Sequence, residues 1–266
     1  MTYTFTILGC GSSGGVPRVG QGWGACNPDN PKNRRRRCSL LVERQSNGGQ
    51  TTVLIDTSPD LREQLLDANV NAIDAVLYSH DHADHTHGID DLRPLALVQR
   101  KRIDVYADET TSKLLHSRFG YCFETPLGSD YPPILQEHRM REGREVTVSG
   151  AGGDITALPF PMQHGSTRAL GFRIGKIAYS CDVNDLPPES LSALEDLDLW
   201  IVDALRYRVH PSHFSVEETL GWIERLKPRR AVLTNLHTDL DYEELRAKLP
   251  DHVTPAFDGM IISADQ

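Results

Sequence analysis

The chain is poor in cysteine, and the few cysteines it has form no recognisable framework. Its 266 residues include five cysteines, an odd number scattered along the chain, with no C-x-x-C pair. Such a set does not predict a disulfide framework, and it offers no cysteine zinc knuckle. Long apolar runs are missing as well, so the sequence predicts no membrane span.

Positively charged residues are outnumbered by negatively charged ones, 28 to 37. The formal net charge is -9, which argues against general binding to nucleic acid or to an anionic membrane. The first residues lack the charged and apolar regions of a secretory signal peptide, so we expect a cytoplasmic protein. The composition, 39% hydrophobic and 24% charged residues, is ordinary for a globular protein. We expect a single domain over residues 1–266.

A glycine-rich turn near the amino terminus, GCGSSGG at residues 9–15, contains the G-x-G-x-x-G pattern of dinucleotide-binding turns. A dinucleotide site also requires a helix that opens on the last glycine and an acidic residue about 20 positions later. Neither follows here, because Pro17 removes a donor and the glycines up to Gly24 disfavour a helix. We therefore predict a glycine loop whose backbone can approach a ligand closely.

Hydrophobic periodicity and turn residues predict alternating strands and helices. Strands are predicted over 3–9, 38–44, 52–56, 74–79, 103–106, 145–148, 154–160, 169–174, 177–181, 199–203, 230–234 and 260–263. Helices are predicted over 59–68, 88–99, 109–118, 189–195, 215–226 and 241–248. Ser58 is the expected N-cap of the first helix, with Pro59 at its first position. Asn47-Gly48-Gly49 predicts a hairpin, and Ser215 begins a capping box. The order is typical of a layered α/β domain.

The most informative stretch is YSHDHADHTHGIDDL, residues 78–92, which follows a short apolar strand. It contains the pattern H-x-H-x-D-H, formed by His80, His82, Asp84 and His85. Histidines two positions apart project to the same side of an extended chain, and a turn returns the next two side chains toward them. Imidazoles and a carboxylate at this spacing suit zinc or manganese, so we predict a metal site rather than a solvated turn.

Further polar side chains follow later apolar strands. His164, Asp182, Asn235 and His237 each come just after a predicted strand. α/β folds place their sites at the carboxyl ends of strands. Each residue alone is compatible with an ordinary turn, but together they supply the ligands that a two-metal site needs beyond the first four.

Taken together, these motifs resemble the metallo-β-lactamase superfamily, and nearly the whole chain takes part in the resemblance. The segments GCGSSGGVPR, KNRRRRCSLLV, YSHDHADHTHGIDDLRPL, HPSHFS and FDGM are similar to those of its PhnP-like branch. That branch is named for the phosphoribosyl cyclic phosphodiesterase of phosphonate degradation. The resemblance implies a four-layer αββα sandwich with a two-metal site, and a glycine loop beside the metals that binds no dinucleotide.

The resemblance also assigns roles to individual residues. The implied ligands are His80, His82 and His164 for one metal, Asp84, His85 and His237 for the second, and Asp182 as a bridge. His213 would act as a general acid or bind phosphate, and a cap or surface role for it stays open. Many relatives have histidine where Asn235 stands, so whether Asn235 or His237 completes the second metal is also open. The cysteine-rich structural zinc site of the phosphonate enzyme is not expected, since only Cys26 lies in the matching loop.

Substrate contacts are expected from the glycine loop and from the only run of like charges. In the loop the candidates are Ser13 and Gly14. In the run NRRRR the candidate is Arg37, since guanidinium groups match phosphate oxygens. A solvated loop explains the arginine run equally well. His213 completes the expected set of substrate-binding residues.

The predicted function is hydrolysis of a small phosphodiester, either a cyclic ribose phosphate or a nucleotide. A hydroxide bridging two divalent ions, zinc or manganese, would attack phosphorus, and catalysis is assigned to Asp84 and His213. The alternatives are a thioester or lactone hydrolase of the same fold and a non-catalytic, metal-stabilised nucleotide-binding domain. The acidic charge disfavours RNA processing, and His82 disfavours an electron-transfer di-iron protein. We expect a small-molecule partner, no membrane and no large nucleic acid; a homodimer is left open.

Overall fold

The computed structural model describes residues 2–265 and contains two seven-stranded β-sheets with associated helices. The strands are β1 (Thr2–Gly9), β2 (Ser39–Ser46), β3 (Gly49–Ile55), β4 (Ala75–Leu77), β5 (Ile103–Ala107), β6 (Leu135–Arg139), β7 (Val146–Val148), β8 (Ile155–His164), β9 (Thr167–Ile174), β10 (Ile177–Ser180), β11 (Leu199–Asp203), β12 (Arg230–Thr234), β13 (Val253–Pro255) and β14 (Met260–Asp265). The α-helices are α1 (Leu61–Asp67), α2 (Ala83–Thr86), α3 (Arg93–Gln99), α4 (Glu109–Phe119), α5 (Val216–Leu226) and α6 (Tyr242–Lys248).

The first sheet has the strand order β14-β1-β2-β3-β4-β5-β6. Strands β2 and β3 form the predicted hairpin, with Ser46 opposite Gly49. From β3 to β6 the strands run parallel, so the ends of β3 and β4 that precede Asp56 and Tyr78 lie at one edge. That edge is where the predicted H-x-H-x-D-H turn begins.

The second sheet has the order β13-β12-β11-β10-β9-β8-β7. Strands β10 to β13 run parallel, while β8, β9 and β10 are joined as antiparallel neighbours. All five residues of β11 are buried, as expected for a parallel strand that is covered on both faces. The carboxyl ends of β10, β11 and β12 therefore present Asp182, Asp203 and Asn235 along one edge.

By internal contacts the chain divides into two compact units. The first contains Ser39–Thr156 with residues from both chain ends, and the second contains Ile7–Cys38 and Ala157–Met260. The core of the second unit is centred on Trp200, which is fully buried and donates its Nε1–H to Oγ of Ser180 at 3.0 Å. Burial of a ring of this size stabilises the fold by roughly 4–6 kcal/mol. A single domain over the whole chain stays a prediction.

Several predicted elements differ in their boundaries or type. The first helix begins at Leu61 rather than at residue 59, and Asp60 is its N-cap. Ser58 instead donates its hydroxyl to Gln64 and accepts from the backbone N–H of Asp60, a local turn that delays the helix. The helices expected at 88–99 and 189–195 begin with, or consist of, 3-10 turns. The capping box at Ser215 is confirmed.

Strand β8 is longer than predicted, and two edge strands were not predicted at all. Strand β8 contains two prolines and still continues to His164, because it pairs with β9 along its length. Strands β6 and β13 are short edge strands with mixed or proline-containing sequences, which give a weak periodic signal. In the described chain, no helix has the length and apolar character needed to cross a membrane.

The glycine loop after β1 is a loop, as predicted, and not the start of a helix. A turn closes it, since the N–H of Gly15 donates to the carbonyl of Ser12 at 2.7 Å. The loop also pairs with the segment after β12, where the N–H of Leu236 donates to the carbonyl of Cys10 at 2.8 Å. These bonds hold the glycine loop next to the residues that follow β12.

Candidate metal centre

The four residues of the H-x-H-x-D-H pattern lie together in the turn after β4. His82 is the extended residue that precedes α2, which places Asp84 in the first turn of that helix and His85 on its buried side. The ring centroids of His80 and His82 are 4.6 Å apart, and those of His80 and His85 are 4.3 Å apart. Nε2 of His85 lies 3.4 Å from Oδ2 of Asp84. The turn therefore gathers three imidazoles and a carboxylate, as the sequence predicted.

Asp56, which sequence reasoning did not select, fixes the orientation of this turn. It follows β3, is fully buried and has a φ of 63°. Its Oδ1 accepts from the N–H of Ser79 at 2.7 Å, and its Oδ2 accepts from Oγ of Ser79 at 2.6 Å and from Nδ1 of His85 at 2.8 Å. Because Oγ of Ser79 donates to Asp56, it accepts from Nδ1 of His80 at 2.9 Å. Both imidazoles thus carry their proton on Nδ1 and present Nε2 as a ligand atom.

In the second unit, His164 and Asp182 lie close together. His164 is the last residue of β8, and its Nδ1 donates to the carbonyl of Ser212 at 2.6 Å. Its Nε2 lies 3.6 Å from Oδ2 of Asp182, and both side chains are buried. The Nδ1 proton is again held by an oxygen, so Nε2 is the nitrogen that carries the lone pair, as in metal-binding imidazoles.

His213 lies beside this pair and forms a dyad with Asp203. Its Nε2 is 3.9 Å from Oδ2 of Asp182, and its Nδ1 is 2.7 Å from Oδ2 of Asp203. Asp203 is the last residue of β11, and it also accepts from the N–H of Val183 at 3.0 Å. Burial raises the pKa of Asp203 to about 7, although His213 acts to lower it. Sequence reasoning missed Asp203, whose only signal is an aspartate at the end of an apolar strand.

The two candidates after β12 have different surroundings. Asn235 is buried with a φ of 61°, and its Nδ2 donates to Oδ1 of Asp182 and to the carbonyl of Cys181, both at 3.1 Å. His237 instead places its Nε2 at 2.7 Å from Nη1 of Arg18. The lone pair that a metal would need is therefore directed at a guanidinium. His237 thus contacts Arg18, whereas Asn235 contacts the predicted bridging carboxylate, and which of the two would complete the second metal site stays a prediction.

The donor set fits a divalent metal ion. Six of the predicted ligands belong to groups of side chains able to hold a metal: His80, His82, Asp84, His85, His164 and Asp182. Within residues 2–265, His237 belongs to no such group. Imidazole Nε2 atoms with an anchored Nδ1, combined with carboxylates, are ligands that zinc and manganese accept.

The expected substrate-binding residues differ in their exposure to solvent. Ser13 is exposed and Gly14 is partly exposed, as suits a ligand-facing loop, and Arg37 is half-buried. Two of the four arginines in the run Arg34–Arg37 do not have the solvated side chains that a surface loop predicts. Arg35 is 1% exposed and donates to the carbonyl of Leu240 at 2.7 Å, and Arg36 pairs with Asp258 at 3.1 Å. These two hold the loop to the rest of the second unit.

Comparison with known proteins places this chain in a family. The model of the Beta-lactamase superfamily domain matches residues 51–235. A crystal structure described as a new diphosphatase from the PhnP family is 35% identical, with a TM-score of 0.88 over 99% of this chain and 98% of that chain. Zn²⁺-bound PqqB from Methylobacterium extorquens is 18% identical, with a TM-score of 0.74 over 97% of this chain and 99% of that chain, and shows the shared fold alone.

A curated relative is an Octanoyltransferase from Porphyromonas gingivalis (strain ATCC BAA-308 / W83), which is 33% identical over 265 residues. The match covers 98% of this chain and 51% of that protein, so the chain spans about half the length of the curated relative. The αββα fold class predicted from the sequence is confirmed. The domain match and the His/Asp donors support a metal-dependent hydrolase. The chain belongs to the metallo-β-lactamase superfamily, in its PhnP-like branch.

Proposed function

We propose that this chain is a binuclear metal-dependent phosphodiesterase that hydrolyses a small phosphodiester, such as a cyclic ribose phosphate or a nucleotide. The observation that carries the proposal is the 35% identity, over 99% of the chain, to a structure described as a diphosphatase. The arrangement of histidines supports it, because Nδ1 of His80, His85 and His164 each contacts an oxygen, as in metal-binding imidazoles.

The ligands would be the six grouped residues, and zinc or manganese would occupy the site. Two such ions, when bound, acidify a water and neutralise charge on phosphoryl oxygens. Asp84 and Asp182 supply the negative charge that retains the ions. Asp56 and Ser79 keep the imidazoles of His80 and His85 in the tautomer that binds metal.

His213 is the proposed general acid. Its Nδ1 lies 2.7 Å from Oδ2 of Asp203, which fixes the orientation of the ring. When His213 is protonated, its Nε2 carries a proton 3.9 Å from Oδ2 of Asp182. It can deliver this proton to the departing alkoxide. An unprotonated alkoxide is a poor leaving group.

The test is turnover of bis(p-nitrophenyl) phosphate by manganese-supplied protein, repeated after chelation. We expect turnover that chelation abolishes and that manganese restores. Turnover that persists in metal-free protein, or none in protein shown to hold two ions, would contradict the proposal. His213→Gln is expected to lower kcat by about 10²–10⁴-fold for a poor alkoxide leaving group and by much less for p-nitrophenolate, which needs no proton.

Hydrolysis of an acyl thioester is a second candidate, favoured by the relative named Octanoyltransferase. A metal-activated water can attack an acyl carbonyl as well as phosphorus. An octanoyl thioester and bis(p-nitrophenyl) phosphate, assayed side by side with the same protein, decide between the two. Faster turnover of the thioester would transfer the assignment to acyl chemistry.

A further inference from the structure

Arg118, near the end of α4, contacts the metal turn (residues 80–87) at a residue outside the predicted ligand set. Its Nη1 donates to the backbone carbonyl of Asp81 at 2.5 Å, and its Nη2 donates to Oδ2 of the same residue at 3.1 Å. Asp81 lies between His80 and His82, two of the predicted metal ligands. One guanidinium therefore holds both the main chain and the side chain of the residue that separates these ligands.

Asp81 is a carboxylate within the metal-binding pattern that takes no part in the donor set. Its side chain is 14% exposed, and within residues 2–265 it belongs to none of the groups able to hold a metal. Neighbouring residues of an extended segment project to opposite sides, so the direction that brings His80 and His82 together turns Asp81 away from them. Arg118 meets the carboxylate on that far side and balances its charge.

Phe119, the next residue of α4, contacts the other end of the metal turn. Its ring meets the imidazole of His87 edge-on, with the ring centroids 5.4 Å apart. His87 directly follows α2, and its N–H donates to the carbonyl of Ala83 at 3.0 Å. Two consecutive residues of α4 thus bracket the short helix α2, which carries two of the predicted ligands.

The helix α4 is itself anchored to the first sheet by contacts that involve no metal ligand. At its start, the side chain of Asp108 caps the helix and accepts from the N–H of Thr111 at 2.8 Å. Further along, Oγ of Ser112 donates to Oε1 of Glu137 in β6 at 2.5 Å, and Nε2 of His116 lies 2.7 Å from Oε2 of that residue. The last turn of α4 is therefore a fixed support for the metal turn.

We propose that Arg118 is a positioning residue that holds His80 and His82 at their mutual spacing before a metal ion binds. The inference rests on the metal site of the proposed function and deepens it by naming a residue that prepares that site. A metal ion requires its ligands at defined positions, so ordering a loose turn during binding would reduce the affinity. All the contacts that carry the proposal lie within the first unit of the chain.

Arg118→Gln separates positioning from simple electrostatics, because the two effects have opposite signs. A guanidinium repels a divalent cation, so the loss of its charge alone would tighten metal binding. Loss of the support weakens binding instead, and we expect an affinity lower by about tenfold or more, as when a partner of a metal ligand is removed. Arg118→Lys keeps the charge but lacks the planar fork, so an intermediate affinity is expected.

The affinity of the full chain for zinc is measured without substrate, by competition with a chromophoric chelator. Arg229→Gln is the matched control, because Arg229 pairs with Asp198 at 3.3 Å on an exposed surface before β12. Its loss is expected to leave the zinc affinity as it was. An affinity that is unchanged or raised in Arg118→Gln would overturn the positioning role.

Hydrogen exchange of the metal-free protein, followed by NMR, tests the support of the turn directly. The N–H groups of His85 and His87 donate within the turn, to the carbonyls of His82 and Ala83, both at 3.0 Å. In Arg118→Gln these amides are expected to exchange faster by at least the factor by which zinc affinity falls, while amides of the first sheet keep their rates.

The outcomes distinguish failure of this inference from failure of the proposed function. Equal exchange in the two proteins would overturn the positioning role. Faster exchange spread over α4 and the first sheet would also overturn it, because it indicates a general loss of stability. Zinc binding that depends on Arg118, without turnover of bis(p-nitrophenyl) phosphate, would overturn the phosphodiesterase and leave the positioning role standing.

Discussion

Replacement of Asp56 by asparagine tests whether the buried carboxylate sets the tautomer of a metal-binding histidine. Asp56 accepts hydrogen bonds from the N–H and the hydroxyl of Ser79 and from Nδ1 of His85, the last at 2.8 Å. In Asp56→Asn the single oxygen can still accept from the N–H of Ser79. The amide nitrogen then faces His85 and must donate to it, because two donors cannot bond. Nδ1 of His85 becomes an acceptor, and its proton moves to Nε2, the atom that a metal needs.

The expected size of the effect follows from the bonds that change. Loss of one charge-assisted hydrogen bond in a site that excludes water lowers the free energy of unfolding by about 1.5–3 kcal/mol. The shifted tautomer weakens metal binding by about 10–100-fold, the range found when a partner of a metal ligand is removed. Asparagine tolerates the left-handed backbone conformation of position 56, where φ is 63°, so backbone strain adds little.

Metal affinity is measured by competition with a chromophoric chelator, and the free energy of unfolding by urea titration. Asp104→Asn is the matched control, since Asp104 contacts Nε2 of His138 at 2.7 Å on a partly exposed surface. The control is expected to change stability by about 0–1 kcal/mol and metal affinity not at all. If Asp56→Asn binds metal as tightly as the unchanged protein, the tautomer argument is wrong.

Three further predictions concern the ligands, a helix cap and the core. Asp84→Ala is expected to abolish turnover of bis(p-nitrophenyl) phosphate, and full activity in that variant would remove Asp84 from the site. Asp241 caps α6 and accepts a hydrogen bond from Asn33 at 2.6 Å. Burial raises the pKa of Asp241. Hydrogen bonds from Asn27, Glu244 and Asn33 outweigh burial and hold this pKa below its ordinary value. Its stabilisation is therefore present above about pH 4 and is lost as the pH falls through the lowered pKa. Asp241→Asn is expected to cost about 1–2 kcal/mol at neutral pH, with a smaller difference in urea titrations at pH 3. Trp200→Phe, which removes the bond to Ser180 and leaves a void, is expected to cost about 2–3 kcal/mol in the same titration.

The elements that carry a strong local signal were predictable from the sequence. The capping box at Ser215 fixes the start of α5, and the hairpin between β2 and β3 follows from the glycines in its turn. Two of the four edge strands, β6 and β13, were not predicted, because they form through pairing with a neighbour rather than through their own periodicity. The helix expected at residue 59 begins later because the hydroxyl of Ser58 bonds within its own turn.

The sequence by itself determined the H-x-H-x-D-H turn, because one strand end and one helical turn bring His80, His82, Asp84 and His85 together within six residues. Only the tertiary structure decided what orients these and the other histidines. His85 is oriented by Asp56, 29 residues away, and His237 is turned toward Arg18, 219 residues away. Sheet order sets such partners, and no local pattern encodes it. The identity of a metal ligand can therefore be local, whereas the direction in which its imidazole presents a lone pair depends on the fold.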